Sequence, residues 1–320
     1  MVKKKKKLHL KYEVKKFLAY FIVLLLITIY GISVGTKLHK QEVYENSYEY
    51  KLIQNKYPEE EAKKLSSTLS DEILEKLTKE KYNDIYYQIV NQKYFLNKNF
   101  QDYVDYNSIH KSTPLEKTIA IVNVKKNKKE YSTDDKTDIN EGYLMLVNKY
   151  YHLEEDYERI DLEPFSLSIA YGSYGDNKAA KIVVEQFDKL QQDVKTEFNA
   201  QLMVTSSYRS YETQKKNYEL YGDDYVARPG YSEHQTGLSI DIVSLSHTSP
   251  KSFFESDEGK WIVENCWQYG FILRYPEGTE DITGYDNEAL HFRYVGETTA
   301  KKIKDENITF DEYYAYYIDK

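Results

Sequence analysis

The sequence predicts an α+β fold: a small mixed sheet with flanking helices, preceded by a transmembrane helix and a helical stalk. Three observations predict it. Phe17 to Gly35 is an uncharged, mostly apolar run, close to the roughly 20 residues that cross a bilayer as a helix. A polar, tyrosine-rich stretch follows, broken into short helical pieces with recognisable starts. From about Asn177 helical spacing and strand alternation take turns.

Eight lysines (Lys3 to Lys7, Lys11, Lys15, Lys16) precede the apolar run, and such an excess of positive charge keeps its side of a span cytoplasmic. Residues 1–16 therefore read as a cytoplasmic basic tail, 17–35 as a lipid-embedded anchor and the remainder as exported. A cleaved signal peptide is the rival, because Ser33 and Gly35 are small residues at which a peptidase could cut, but the run is long for one. The single cysteine, Cys266, lies far from the run and offers no lipid attachment site and no internal disulfide. Beside Val263 and Trp267 it reads as a small buried hydrophobe. The whole chain carries −8, and with eight Lys against one Glu in the first sixteen residues the exported part stands at −15. That argues against nucleic acid as a partner.

Residues 36–162 read as a helical stalk or accessory module. Pro58 opens one helix, Ser70 caps a second, Asn83 precedes a third, and Thr113 with Pro114 opens a fourth. The scattered aromatics read as packing between these short helices. In residues 163–320 the spacing predicts a helix over Ala179–Phe198, a strand at Gln201–Thr205 and a helix over Tyr211–Tyr221. A strand at Leu238–Leu245 follows, with Leu238, Ile240 and Ile242 on one face and Ser239 and Asp241 on the other. A helix near Trp261–Tyr269, a strand at Phe271–Tyr275 and a strand at Leu290–Val295 come next. In the last, His291 and Arg293 share a face opposite Leu290 and Phe292. Helices over Thr298–Glu306 and Asp311–Tyr317 close the chain.

Two imidazoles and two carboxylates stand out against this frame. Zinc in hydrolases takes three ligands from His, Asp and Glu, leaves a position for water, and works beside a further carboxylate that removes the water's proton. His234, Asp241 and His291 suit the ligands and Glu288 the base. No His-Glu-x-x-His occurs in the chain, so such a site must be built on strands and loops rather than on one helix. His9, His39, His110, His152 and His247 have no acidic partner legible in sequence. Taken singly, each candidate is also an ordinary surface or capping residue, and the residues alone leave both readings open.

Four segments carry a resemblance: Ser206 to Tyr211, Ala227 to Gly237, Tyr269 to Pro276, and Glu288 to Gly296. Together they resemble the VanY-type D-alanyl-D-alanine carboxypeptidases of the LAS group of zinc peptidases, over about Asn177 to Gly296. The resemblance implies the LAS/hedgehog-like peptidase fold, with a mainly antiparallel sheet, and Zn2+ as cofactor. It implies zinc ligands at His234 and Asp241 (Ser-x-His-x6-Asp) and at His291, with Glu288 as base (Glu-x-x-His). Arg209, in Ser-x-Tyr-Arg, would polarise the scissile carbonyl, with Ser206, Gln214 and Ser232 as candidate substrate contacts. One departure is Leu290, where the family commonly has Trp.

The function implied is a membrane-anchored D,D-carboxypeptidase that removes terminal D-alanine from peptidoglycan stem peptides, its partners being those peptides and the lipid bilayer. An L,D-carboxypeptidase or endopeptidase would use the same zinc site. A non-catalytic wall-binding protein of the same fold is a third reading, disfavoured because every ligand and the base are present. Ser108-Ile109-His110-Lys111 fits the Ser-x-x-Lys of serine D,D-peptidases, yet Lys-Thr-Gly and Ser-Asp-Asn are absent.

Overall fold

A computed structural model describes residues 2–166, 177–223, 225–288 and 290–319. The chain gathers into two compact units, Met1–Asn91 and Gln92–Lys320. In the first, the apolar run lies inside one continuous helix, α1 (Val2–Glu45). Its Lys11–Glu45 stretch is long and apolar enough to cross a membrane, with a mean hydropathy of 2.5 over its most apolar 18 residues. The Ser47 hydroxyl accepts from the Tyr50 amide and caps α2 (Tyr48–Gln54). α3 (Glu59–Thr68) starts after Pro58 with three glutamates in its first turn, where the helix dipole favours negative charge. α4 (Asp71–Leu77) and α5 (Ile85–Val90) complete the unit. Leu52, Ala62, Leu65, Leu74 and Ile89 are buried in it.

The second unit begins with α6 (Phe100–Ile109) and α7 (Leu115–Asn123), which pack on each other. β1 (Leu162–Pro164) pairs antiparallel with β2 (Lys178–Ala180). There follow α8 (Lys181–Phe198), β3 (Leu202–Ser206), α9 (Tyr211–Tyr221), β4 (Ser239–Ser244), α10 (Pro250–Glu255) and α11 (Asp257–Asn265). β5 (Phe271–Leu273), α12 (Glu280–Thr283), β6 (His291–Tyr294), α13 (Glu297–Glu306) and α14 (Phe310–Tyr317) close the chain. The main sheet has the order β3-β4-β6-β5, with every neighbouring pair antiparallel. This is the expected α+β architecture.

Helical spacing in α8 puts Val183, Phe187, Leu190 and Val194 on one buried face, and they share a core with Leu202, Val204, Ile240, Ile242 and Phe292. Phe187 is wholly buried there, and Phe187→Ala should cost roughly 3–5 kcal/mol in a denaturant melt. Asn199 closes α8 in the left-handed conformation, φ 52°, which Asn tolerates well.

Two features differ from the sequence reading. Lys178–Ala180, read as belonging to helix and its approach, forms β2, because the Ala180 amide donates to Gly237 O (2.9 Å) and its neighbours pair with β1. The compact units divide at Asn91 rather than near Leu162. Residues 92–162 lie in the same unit as the sheet, and the reason is apolar burial. Met145 enters the main core, and Leu146 packs with Ile272, Val295 and Phe310. The expected 163–320 domain includes residues 167–176, which lie outside the described residues.

Candidate active site

The strand register builds the centre of the site. β4 and β6 pair so that Asp241 stands opposite His291, and Ser239 opposite Arg293 one layer below. Because side chains alternate along a strand, these two layers share one face of the sheet. His234 comes from a 3-10 turn (Glu233–Thr236) that leads into β4 and ends at Gly237 with φ 69°. A Cβ at Gly237 would meet Leu162 Cδ2 at 3.1 Å and Arg159 Cγ at 3.2 Å, so both the turn and the close packing favour glycine.

His234 Nε2 lies 3.5 Å from Asp241 Oδ2 and His291 Nδ1 lies 2.9 Å from Asp241 Oδ1. The ligand atoms of the three residues all fall within 4.8 Å of one another. The far nitrogens are committed elsewhere. His234 Nδ1 is 2.9 Å from the Ser207 carbonyl, and His291 Nε2 is 3.3 Å from Glu233 Oε2. Carbonyl and carboxylate oxygens only accept, so each of these nitrogens carries the hydrogen and each ring turns its other nitrogen toward Asp241. Two imidazole nitrogens and one carboxylate oxygen, with their outer sides tied down, are a donor set that fits zinc.

The electrostatics follow from burial and neighbours. Burial, with the charge of Arg209 nearby, pushes His234 down to about 4. Burial works the same way on His291, but the hydrogen bonds to Asp241 and Glu233 overcome it and raise that imidazole to about 10. Asp241 is held well below the usual carboxylate range by the two histidines despite burial. Glu288 Oε2 lies 3.9 Å from His291 Nδ1, with the side chain half exposed, and burial raises its carboxyl above the ordinary value.

The remaining predicted residues divide. Arg209 Nη2 donates to Ser206 Oγ (2.8 Å) and Nη1 to Gln214 Oε1 (3.2 Å), while its Nε is a buried donor with no protein partner. Ser206 and the fully buried Gln214 therefore hold Arg209. Ser232 lines the cleft, a space of about 550 Å³ that also takes in Arg209, Glu288, Tyr275 and Tyr285. Tyr131 and Lys149 join its wall from the 92–162 segment. His247, read as unpartnered, lies 2.7 Å from Glu258 Oε1, which also accepts from Ser244 Oγ at 2.7 Å. Sequence reasoning also passed over Glu233, whose side chain is 1% exposed and meets Arg274 and Arg293. The signal was Arg293 itself: an arginine on the same strand face as His291 needs a buried carboxylate.

These features define a metallopeptidase with a His-Asp-His cluster on an antiparallel sheet. Residues 176–297 match the family model VanY, D-alanyl-D-alanine carboxypeptidase. The chain is similar to the putative carboxypeptidase YodJ of Bacillus subtilis (strain 168), at 38% identity over 54% of this chain and 67% of the relative. A D-alanyl-D-alanine carboxypeptidase of Enterococcus faecium is 31% identical over 68% of this chain and 76% of its own. The solved structure of the LdcB LD-carboxypeptidase is similar with a TM-score of 0.52 and 36% identity, over 59% of this chain and 94% of that one. The chain belongs to the VanY family of D-alanyl-D-alanine carboxypeptidases. It is a zinc metallopeptidase, and among the described residues the cluster able to take the metal is His234, Asp241 and His291.

Proposed function

We propose that the enzyme removes the terminal D-alanine of peptidoglycan stem peptides, with His234, Asp241 and His291 holding zinc, Glu288 as base and Arg209 facing the developing oxyanion. The observation that carries this is convergence: three ligand atoms within 4.8 Å, with Glu288 and Arg209 in the same cleft. Bound there, zinc supplies Lewis acidity, which acidifies water and polarises a carbonyl. Glu288 accepts the proton of the attacking water and returns it to the amine of the departing D-alanine, and a carboxyl raised above its ordinary value suits both transfers. Arg209 lines the cleft and is fixed by Ser206 and Gln214, so its permanent charge needs no reorganisation to stabilise the oxygen that gains charge. Ser232 is a candidate substrate contact on the cleft wall.

The likeness to an LD-carboxypeptidase over 94% of that protein favours a second specificity, cleavage of tetrapeptide stems. Incubation with defined tetra- and pentapeptides, followed by mass measurement, decides. Loss of one alanine from pentapeptide alone supports the D,D reading, and loss from tetrapeptide alone overturns it in favour of L,D. The apolar helix supports a single-pass anchor with the lysine-rich start cytoplasmic and the peptidase on the wall side. Protease added to wall-stripped cells should then digest the peptidase and spare a tag placed before Met1. A protected peptidase would refute this topology.

A further inference from the structure

We infer that Glu233 is the positioning residue of the zinc ligand His291, and that a buried ion layer ties this positioning to the C-terminal helix. The inference rests on the reading that His291 holds the metal. Glu233 Oε1 accepts from Arg274 Nε (2.8 Å) and Arg293 Nη1 (2.9 Å). Those two guanidinium groups suffice to neutralise a carboxylate. Its other oxygen is nevertheless spent on Ser239 Oγ (3.2 Å) and on His291 Nε2 (3.3 Å), the imidazole nitrogen turned away from Asp241. Tyr275 stacks on the same ring at 5.3 Å. The ring is thus held on its face and at its outer nitrogen, leaving Nδ1 for the metal.

The layer continues outward. Arg274 Nη1 donates to Asp311 Oδ2 (2.6 Å), and Asp311 also accepts from Asn148 Nδ2 (2.7 Å). Arg293 Nη2 donates to the carbonyls of Met145 (2.7 Å) and Tyr143 (3.1 Å). The four ionic side chains, Glu233, Arg274, Arg293 and Asp311, are at most 2% exposed and balance in charge. Asp311 lies in α14 and Asn148 precedes β1, both outside residues 176–297 that match the family. Segments beyond the matched region therefore reach the ligand through Arg274 and Glu233.

The test is the zinc dissociation constant, by chelator competition on the full chain, for wild type and three variants. Circular dichroism and thermal melts of the metal-free proteins check folding. Glu233→Gln should weaken zinc by about 10- to 100-fold. Asp311→Asn, which leaves Glu233 its contacts with Arg293, Ser239 and His291, should weaken it by on the order of threefold. Glu258→Gln breaks a neighbouring buried carboxylate network with no link to the ligands, and should lower the melting temperature without moving zinc affinity. If Glu233→Gln fails to fold, Asp311→Asn decides. Folded Glu233→Gln or Asp311→Asn protein with wild-type affinity overturns the inference, as does equal weakening in Glu258→Gln. A wild type that takes up no zinc overturns the underlying metal reading instead.

Discussion

Glu233 and Glu288 address the same imidazole from opposite surroundings. Glu233 lies beneath the metal layer with its side chain 1% exposed between two guanidinium groups, which hold it in the charged form against burial. Glu288 lines the cleft with its side chain 49% exposed, and its partial burial, with the negative charges of Asp241 and Glu233 nearby, raises its carboxyl. A carboxylate surrounded by fixed donors can orient a ring but has no freedom to trade protons. One with a raised pKa and access to the cleft can. Position relative to the arginines, more than residue type, separates the two roles.

The comparison can be broken by experiment. The largest effect belongs to the ring itself: His291→Ala should lose the metal and with it all peptidase activity, read by elemental analysis and turnover. Retained zinc with retained activity would remove the shared imidazole from the account. Glu288→Gln should keep its zinc and lose roughly 10²- to 10⁴-fold in kcat, and a near-normal rate would place the base elsewhere. Arg209→Ala should lower kcat by roughly 10²-fold with little change in KM, since a cation aimed at developing charge acts in the transition state. Arg209→Lys should recover only part of that, because a flexible point charge lacks the planar fork. The smallest step is the change per pH unit. Zinc needs a neutral His291, whose metal-free imidazole titrates at about 10, whereas His234, at about 4, is already neutral. Apparent zinc affinity should therefore rise about tenfold per pH unit between roughly pH 5 and 9 and fall as acid is added. A flat profile over that range would contradict the protonated state of His291.

Much of the peptidase sheet was legible because β4 and β6 alternate cleanly. Ile240 and Phe292 mark the core face, and the same alternation leaves Asp241 and His291 off it. The register that sets these two side by side was not legible, since it depends on pairing between segments about fifty residues apart. Lys-Ala-Ala at 178–180 is too short to announce a strand. The 92–162 segment read as stalk because the buried residues that pack it against the sheet, Met145 and Leu146, sit in irregular chain with neither period. Glu233 escaped notice for a different reason. A Glu inside a motif is ordinarily a solvated neighbour, and the pairing that buries it joins Arg293 on β6 with Arg274, just after β5, across more than forty residues of chain.

The central claim is that zinc on His234, Asp241 and His291 works with Glu288 to release D-alanine. The most direct measurement compares zinc-loaded wild type and zinc-loaded Glu288→Gln on a D-alanyl-D-alanine-terminated pentapeptide, with metal content and product mass determined on the same samples. The account predicts about one zinc per chain in both, release of one alanine by wild type, and turnover reduced at least about 10²-fold in the variant. Zinc-loaded wild type that leaves the pentapeptide intact, or a variant that turns it over at the wild-type rate, would contradict it.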